Sequence, residues 1–366
     1  MIKIFHTGDF HLDSPFSGYD VKESDKRRAE CRESFAATLK KAVDDGCGIV
    51  LIAGDLFDCG YVTSETVSKA FSAIEECKIP VVVAPGNHDP YEKGGVYDRQ
   101  NAPKNLFVFS SGELTRFDFD EIGISVHGYA FTSDRMDSAP LTDISLHEKN
   151  VNVLLAHGDI YSPLSKYAPI SSEALECSGF DYAALGHVHK AEEPVKMGKT
   201  FVSYCGFPMG RGFDELGFGS ALEVTIDGSV KTERVVLADK RYMIEALDVT
   251  GATSYTEINS AISRLIKDKN FGKETSLRVV LTGAVSPDVT VSSSISAELF
   301  GLALLEIENE TSPVYDTDFL ENDVSLRGAL YRQLLPSLNS ADPNTKRVAA
   351  EALRIGLAAL EGKQIF

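Results

Sequence analysis

The sequence predicts a layered α/β protein, with a smaller α+β unit and a helical segment behind it. Three observations carry this. Over roughly the first 240 residues, β-branched apolar runs alternate with amphipathic stretches, as in stacked layers of sheet and helix. Short polar motifs directly follow several of those runs, where loops leave the carboxyl ends of strands. Near Lys240 the motifs stop and the pattern changes.

Taken in order, Ile2 to His6 reads as a first strand, and Ser24 is expected to cap a long helix ending near Gly46. Gly48 to Ala53 is a second strand, Thr63 opens a helix with Val67, Ala70, Phe71 and Ile74 on one face, and Pro80 to Ala84 is a third strand. Further strands are expected at Ile122–His127, Val151–Ala156, Tyr182–Leu185, Thr200–Tyr204, Ser220–Ile226 and Val230–Leu237. Several of the last runs are joined by tight turns such as Asp227-Gly228 and read as antiparallel. Beyond Lys240 the order is strand (Tyr242–Val249), helix (Tyr255–Lys267), strand (Ser276–Leu281), helix (Ser293–Phe300) and strand (Leu302–Ile307). That is one strand short of a ferredoxin-like split βαβ. Leu326, Leu330 and Leu334 share a helical register, and a final helix over Thr345–Leu360 carries a broad apolar stripe that favours packing within the chain. The expected domains are therefore 1–240, 241–312 and 313–366.

Composition sets bounds on function. A chain of 366 residues with 43% hydrophobic and 25% charged residues is globular, and too long for one ordinary core. The start, Met1-Ile2-Lys3-Ile4-Phe5, runs straight into a strand with no signal-like segment, so a cytosolic protein with no membrane association is expected. Six cysteines without CxxC spacing read as reduced and mostly structural. A net charge of −18 lowers the expectation of nucleic-acid binding without removing it, since metal-site carboxylates account for part of the excess.

Five motifs carry chemistry: Asp9-Phe10-His11, Gly54-Asp55, Gly86-Asn87-His88-Asp89, His157-Gly158 and Gly186-His187-Val188-His189. Five of the eight histidines lie inside them. Singly, an Asp-x-His or a Gly-Asp is more often a turn or a cap; together, in order and at strand exits, they spell a binuclear metal site. An extended Asp9-Phe10-His11 would aim the carboxylate and the imidazole to one side and turn Phe10 inward. Gly54 and Gly86 allow tight turns or close backbone approach beside a ligand. Asp9, His11, Asp55 and His189 would hold one divalent ion, and Asp55, Asn87, His157 and His187 the second, with Asp55 as the bridge. Mixed oxygen and nitrogen donors suit manganese, iron or zinc. Two ions about 3.5–4 Å apart clamp an in-line phosphoryl displacement and lower the pKa of a bridging water. His88 would protonate the leaving alkoxide and Asp58 would orient it. His6, His127 and His147 read as structural, and Asp159 as a turn residue.

At these motifs the chain resembles the calcineurin-like metallophosphoesterase superfamily, whose fold is a layered α/β/β/α sandwich. Within it, the segments 3–12, 53–58 and 85–89 are similar to the SbcD family of bacterial DNA-repair exonucleases. Ser203-Tyr204-Cys205-Gly206-Phe207-Pro208 and Gly217-Phe218-Gly219 resemble that family's Tyr-Pro-Gly-Ser and glycine-rich return, with Cys205 where Pro is usual and Phe207-Pro208 where Ser is expected. The resemblance covers residues 1 to about 240 well and the remainder weakly. It implies a manganese-dependent nuclease subunit that acts on DNA, dimerises through its phosphoesterase domains and pairs with an SbcC-type coiled-coil ABC ATPase. The α+β unit would be the capping domain, and the terminal helices candidates for docking the ATPase. Asp58 stands where eukaryotic and archaeal relatives carry His, and where the superfamily's protein phosphatases carry Asp as partner of the catalytic His. A protein phosphatase is disfavoured, because Cys59 precedes Gly60 where Arg is expected. A cyclic-nucleotide or small-phosphodiester hydrolase is the enzymatic alternative, and an inactive phosphoesterase-like scaffold the non-enzymatic one.

Overall fold

The computed structural model describes residues 1–16, 20–190, 192–287, 289 and 296–362. The chain divides into two compact units, Met1–Tyr242 and Met243–Phe366.

The first unit contains, in order, β1 (Ile2–Thr7), α1 (Val21–Asp44), β2 (Ile49–Ile52), α2 (Ser64–Cys77), β3 (Val81–Val83), β4 (Leu106–Val108), β5 (Thr115–Phe119), β6 (Ile124–Gly128), β7 (Val151–His157), α3 (Ser172–Ser178), β8 (Tyr182–Gly186), β9 (Val195–Met197), β10 (Thr200–Tyr204), β11 (Gly217–Ile226) and the start of β12 (Val230–Asp248). One sheet runs β12-β11-β1-β2-β3-β4, with β1 to β4 parallel and β11 antiparallel to β1. The other runs β5-β6-β7-β8-β10-β9, parallel from β6 through β10.

Strand side chains alternate between faces, and three cores result. Phe5, Val50, Ile52, Val81 and Val83 face α1 and α2, with Phe35, Leu39, Phe71 and Ile74 opposite them. Their neighbours Ile4, Ile49, Leu51 and Val82 share a core with Val126, Val153, Leu155, Tyr182 and Ala184 of the second sheet. Leu154, Ala156, Ala183 and Leu185 turn outward to Leu175 and Phe180. These clusters form an α/β/β/α sandwich. Each fully buried Leu, Ile or Phe contributes about 1.5–3 kcal/mol of transfer free energy.

Local chemistry explains where the elements begin and where expectation and structure part. Asp20, rather than Ser24, caps α1 by accepting from the Glu23 amide at 2.9 Å, while Ser24 Oγ donates to the Phe16 carbonyl. Thr63 caps α2 as expected. The two strands expected at Val230–Leu237 and Tyr242–Val249 are one strand, β12. The intervening Ala238-Asp239-Lys240-Arg241 contains no Gly or Pro to stop it, and a register shift between Phe218 and Ser220 of β11 absorbs the irregularity.

In the second unit, α4 (Tyr255–Asp268), β13 (Thr275–Thr282), β14 (Ala284–Val285), a 3₁₀ turn (Ala297–Phe300), β15 (Leu304–Asn309) and β16 (Ser312–Pro313) precede α5 (Thr317–Asn322), α6 (Leu326–Leu338) and α7 (Pro343–Leu360). β13 and β15 pair in parallel, and α4 buries Ile258, Ile262 and Ile266 against Leu277, Val279 and Leu281. The helix expected at Ser293–Phe300 is the 3₁₀ turn in its described part; 293–295 lie outside the described residues. The stripe on α7 packs through Leu353 and Leu357 against Leu320 and Tyr331, while Val348 and Leu360 stay exposed. Among the described residues no helix is long and apolar enough to cross a membrane.

Candidate metal centre

Because β1, β2 and β3 are parallel in one sheet and β7 and β8 in the other, each group of carboxyl-terminal loops emerges on one side. Backbone bonds tie the loops together: Asp9 N donates to Gly54 O, His11 N to Asp55 O and Gly158 N to Gly186 O. The extended course expected for Asp9–His11 is not what forms. Asp9, His11, Asp55 and His187 all have positive φ, at 53°, 46°, 49° and 97°. Non-glycine residues pay strain in that region, and it concentrates at functional loops. Phe10 does turn inward, edge-on to Phe35 at 5.0 Å.

Two glycines make the close packing feasible. A Cβ on Gly54, at φ +86°, would lie 2.4 Å from His157 Nδ1, and one on Gly86 would lie 2.2 Å from Asp55 Oδ1. Asp89 then joins the two loops, accepting from the amides of Asp55, Leu56, Phe57 and Gly86 at 2.7–3.1 Å and from the Tyr97 hydroxyl. Burial and the Asp55 charge push the Asp89 pKa up to about 7, against the pull of those donors.

Donor atoms converge in three overlapping groups: Asp9, His11 and His189; Asp9, Asp55 and His157; His11, Asp58 and His88. Asp55 Oδ2 lies 3.5 Å from both His11 Nε2 and His157 Nε2. Asp9 Oδ1 lies 3.7 Å from His189 Nε2 and 3.9 Å from His157 Nδ1, so Asp9 belongs to both groups. His157 Nε2 is 2.9 Å from Asn87 Oδ1. His187 lies outside the three groups; its ring sits 5.1 Å from that of His157 and 4.9 Å from that of Tyr167, and its amide donates to Asp9.

The protons on these rings test whether cations fit. His157 Nδ1 is 2.9 Å from the Ala53 carbonyl, which only accepts, so Nδ1 carries a proton and Nε2 is the nitrogen whose lone pair can coordinate. That lone pair faces the Asn87 oxygen. Likewise His189 Nδ1 donates to Glu215 Oε1 at 2.8 Å, leaving the Nε2 lone pair 3.4 Å from His11 Nε2. Acceptors held this close need a shared proton or a shared cation. His11 Nδ1 is buried and without a hydrogen-bond partner among the described residues. The residues fit a dimetal centre.

Burial shapes the charges. It pushes the Asp9 pKa up to about 6, against the pull of His189 and His157. It also brings His187 down to about 4, helped by His157, and holds His11 well below the usual range, helped by Arg211 and the neighbouring imidazoles. His189 is the exception. Burial pulls it down, but the Glu215 hydrogen bond and the Asp9 charge outweigh that and raise it. Glu215 shows the counterpart: burial works upward, yet His189 and Arg211 bring it down to about 2.

At the rim, the His88 side chain is 46% exposed, and its Nδ1 stands 3.7 Å from Asp58 Oδ1. That separation is an ion-pair contact, too long for a hydrogen bond. Asp58 raises the His88 pKa, against burial and with help from Asp55. The remaining histidines sit as a structural role requires, His6 between Tyr182 Oη and the Leu185 carbonyl and His127 on Asn152. His147 Nδ1 accepts from the Lys149 and Asn150 amides, and Asp159 caps a turn by accepting from Tyr161 and Ser162. Sequence reasoning passes over Glu215, Arg211 and the bridging role of Asp89. Only Asp89 leaves a signal, as the last residue of a motif.

Two curated relatives share much of the chain. The uncharacterized metallophosphoesterase YhaO of Bacillus subtilis is 28% identical over 361 residues, covering 89% of this chain and 83% of the relative. The SbcD component of the nuclease SbcCD of Staphylococcus epidermidis is 24% identical over 245 residues, 59% of this chain and 63% of the relative. Similar solved structures include TT1561 of Thermus thermophilus, at TM-score 0.42 and 14% identity over 64% of this chain and 99% of that one. A dimetal phosphatase from Danio rerio gives TM-score 0.43 and 9% identity over 65% and 99%. The family model described as calcineurin-like phosphoesterase matches residues 2–191, which span all five motifs and strands β1 to β8, and the chain belongs to that family.

Proposed function

We propose that the chain is a two-metal phosphodiesterase that cuts DNA as an exonuclease or endonuclease, working in DNA repair as the nuclease subunit beside an SbcC-type coiled-coil ABC ATPase. The observation that carries the phosphodiesterase reading is the convergence of imidazole lone pairs and carboxylate oxygens on Asp9 and Asp55. The likeness to a component of the nuclease SbcCD supports DNA as the substrate. In this reading Asp9, His11, Asp55 and His189 hold one ion, and Asp55, Asn87, His157 and His187 the other. Manganese is the ion proposed, with iron or zinc as alternatives. Two such ions polarise the phosphoryl group and make a water nucleophilic near neutral pH.

The chain's own residues do the rest. Asp55 and Asp9, both buried, present carboxylate oxygens where the cations would sit. His88, exposed at the rim with its pKa raised by Asp58, hands a proton to the leaving alkoxide. Residues 241–312 are the proposed capping domain, and 313–366 the segment that docks the ATPase. The phosphoesterase domain, 1–240, forms a homodimer in the cytosol.

The net charge of −18 favours a second reading, hydrolysis of small phosphodiesters that need no long basic track. End-labelled linear duplex DNA, incubated with manganese beside bis-p-nitrophenyl phosphate and a cyclic nucleotide, separates the two. The nuclease reading expects DNA degradation. Hydrolysis of the small diesters with intact DNA, even after an ATPase partner is added, would establish the second.

A further inference from the structure

We infer that Glu215, braced by Arg211, is a positioning residue for the metal centre that fixes the tautomer and the direction of His189; this rests on the two-metal reading above. Glu215 is 1% exposed, and a buried carboxylate persists only with partners for its charge and its lone pairs. Arg211 supplies most of them. Its amide donates to Oε2 at 2.7 Å, and its Nε and Nη2 donate to Oε1 at 3.0 and 2.5 Å. A turn closed by Glu215 N on Gly212 O brings the two residues face to face. Oε1 also receives His189 Nδ1, at 2.8 Å.

A carboxylate only accepts, so the His189 proton is placed on Nδ1 and the lone pair on Nε2. That Nε2 points to Asp9 Oδ1 and His11 Nε2. With a side chain 27% exposed, His189 is the most solvent-accessible histidine of the two triads that contain Asp9, the one with most freedom to rotate. The Arg211 clamp denies Glu215 its own torsional freedom, so the imidazole is anchored to a rigid acceptor. Carboxylate partners of this kind orient metal-binding imidazoles and raise their basicity. Buried as it is, Glu215 is out of a substrate's reach. Its effect passes through His189.

The test uses the full chain, stripped of metal, as wild type, Glu215→Gln and Glu215→Asp. Manganese binding is followed by calorimetry, and the imidazole nitrogens of the metal-free chain by ¹H–¹⁵N NMR at high pH, where the rings are neutral. The wild type is expected to show His189 as a pure Nδ1–H tautomer and to bind two manganese ions. In Glu215→Gln one of the two affinities should fall about 10–100-fold, the other changing much less, with His189 becoming a tautomer mixture. Glu215→Asp keeps the charge for Arg211 with a shorter reach, and should move both readouts the same way by less. A wild-type His189 protonated on Nε2 overturns the inference, and this reading needs no variant to fold. Unchanged tautomer and unchanged affinities in both variants also overturn it. A wild-type chain that takes up no metal sinks the two-metal reading instead, and the tautomer measurement still decides the Glu215 contact.

Discussion

His88 and His189 each stand beside a carboxylate, and distance separates their roles. His189 is hydrogen-bonded at 2.8 Å to a buried Glu215, whereas His88 stands 3.7 Å from Asp58 with almost half its side chain in solvent. A proton donor needs that access. Glu215 and Arg211 left no trace in the sequence because their partnership with His189 exists only through space. The motif residues were legible because short, rare spacings carry them. Three residue-scale outcomes are expected. His88→Gln should keep its metal and lose turnover by ~10²–10⁴-fold; metal loss in that variant, measured by elemental analysis, would make His88 a ligand. Asp55→Ala and His187→Ala should each abolish hydrolysis of a generic phosphodiester with the circular dichroism spectrum intact. The pH dependence follows from Asp9. Metal binding needs its ionised form, and its pKa is pushed up to about 6. His189 must also shed a proton, and against burial Glu215 and Asp9 raise its pKa, so manganese affinity should fall as the pH drops toward 6 and by at least about tenfold per pH unit below it, which calorimetry across the range would reveal or refute.

The loops that carry the ligands are held by their neighbours. Gly54 and Gly86 leave room for His157 and Asp55, and Asp89 collects four amides from two separate loops. An amide in place of that carboxylate would turn an NH₂ group toward those N–H donors. Asp89→Asn should thus destabilise the fold by about 1–3 kcal/mol and weaken metal binding, read by urea unfolding and calorimetry; wild-type values in both would remove Asp89 from the scaffold. Strands were legible where both faces are buried, as in Ile49–Ile52 and Val81–Val83. The single course of β12 was not, because polar residues inside a strand look like a break unless Gly or Pro marks one. Nor was the left-handed backbone at Asp9 and His11, since only a glycine would have advertised it.

The molecule is a calcineurin-like phosphoesterase sandwich followed by a second compact unit. The sandwich was legible from the alternation of strand and helix and from motifs at strand exits. The substrate was less so, because the same donors serve large and small phosphodiesters and a net charge of −18 is a property of the whole chain rather than of the site. In the proposed function, paired divalent ions on the Asp9 and Asp55 carboxylates support the chemistry. The direct measurement is hydrolysis of bis-p-nitrophenyl phosphate while the metal-stripped chain is titrated with manganese, counting bound ions at each point. Activity should be absent from the stripped chain, rise as two ions per chain are bound, and remain absent in Asp55→Ala at any manganese concentration. Full activity in the stripped chain, or undiminished activity in Asp55→Ala, would contradict the claim.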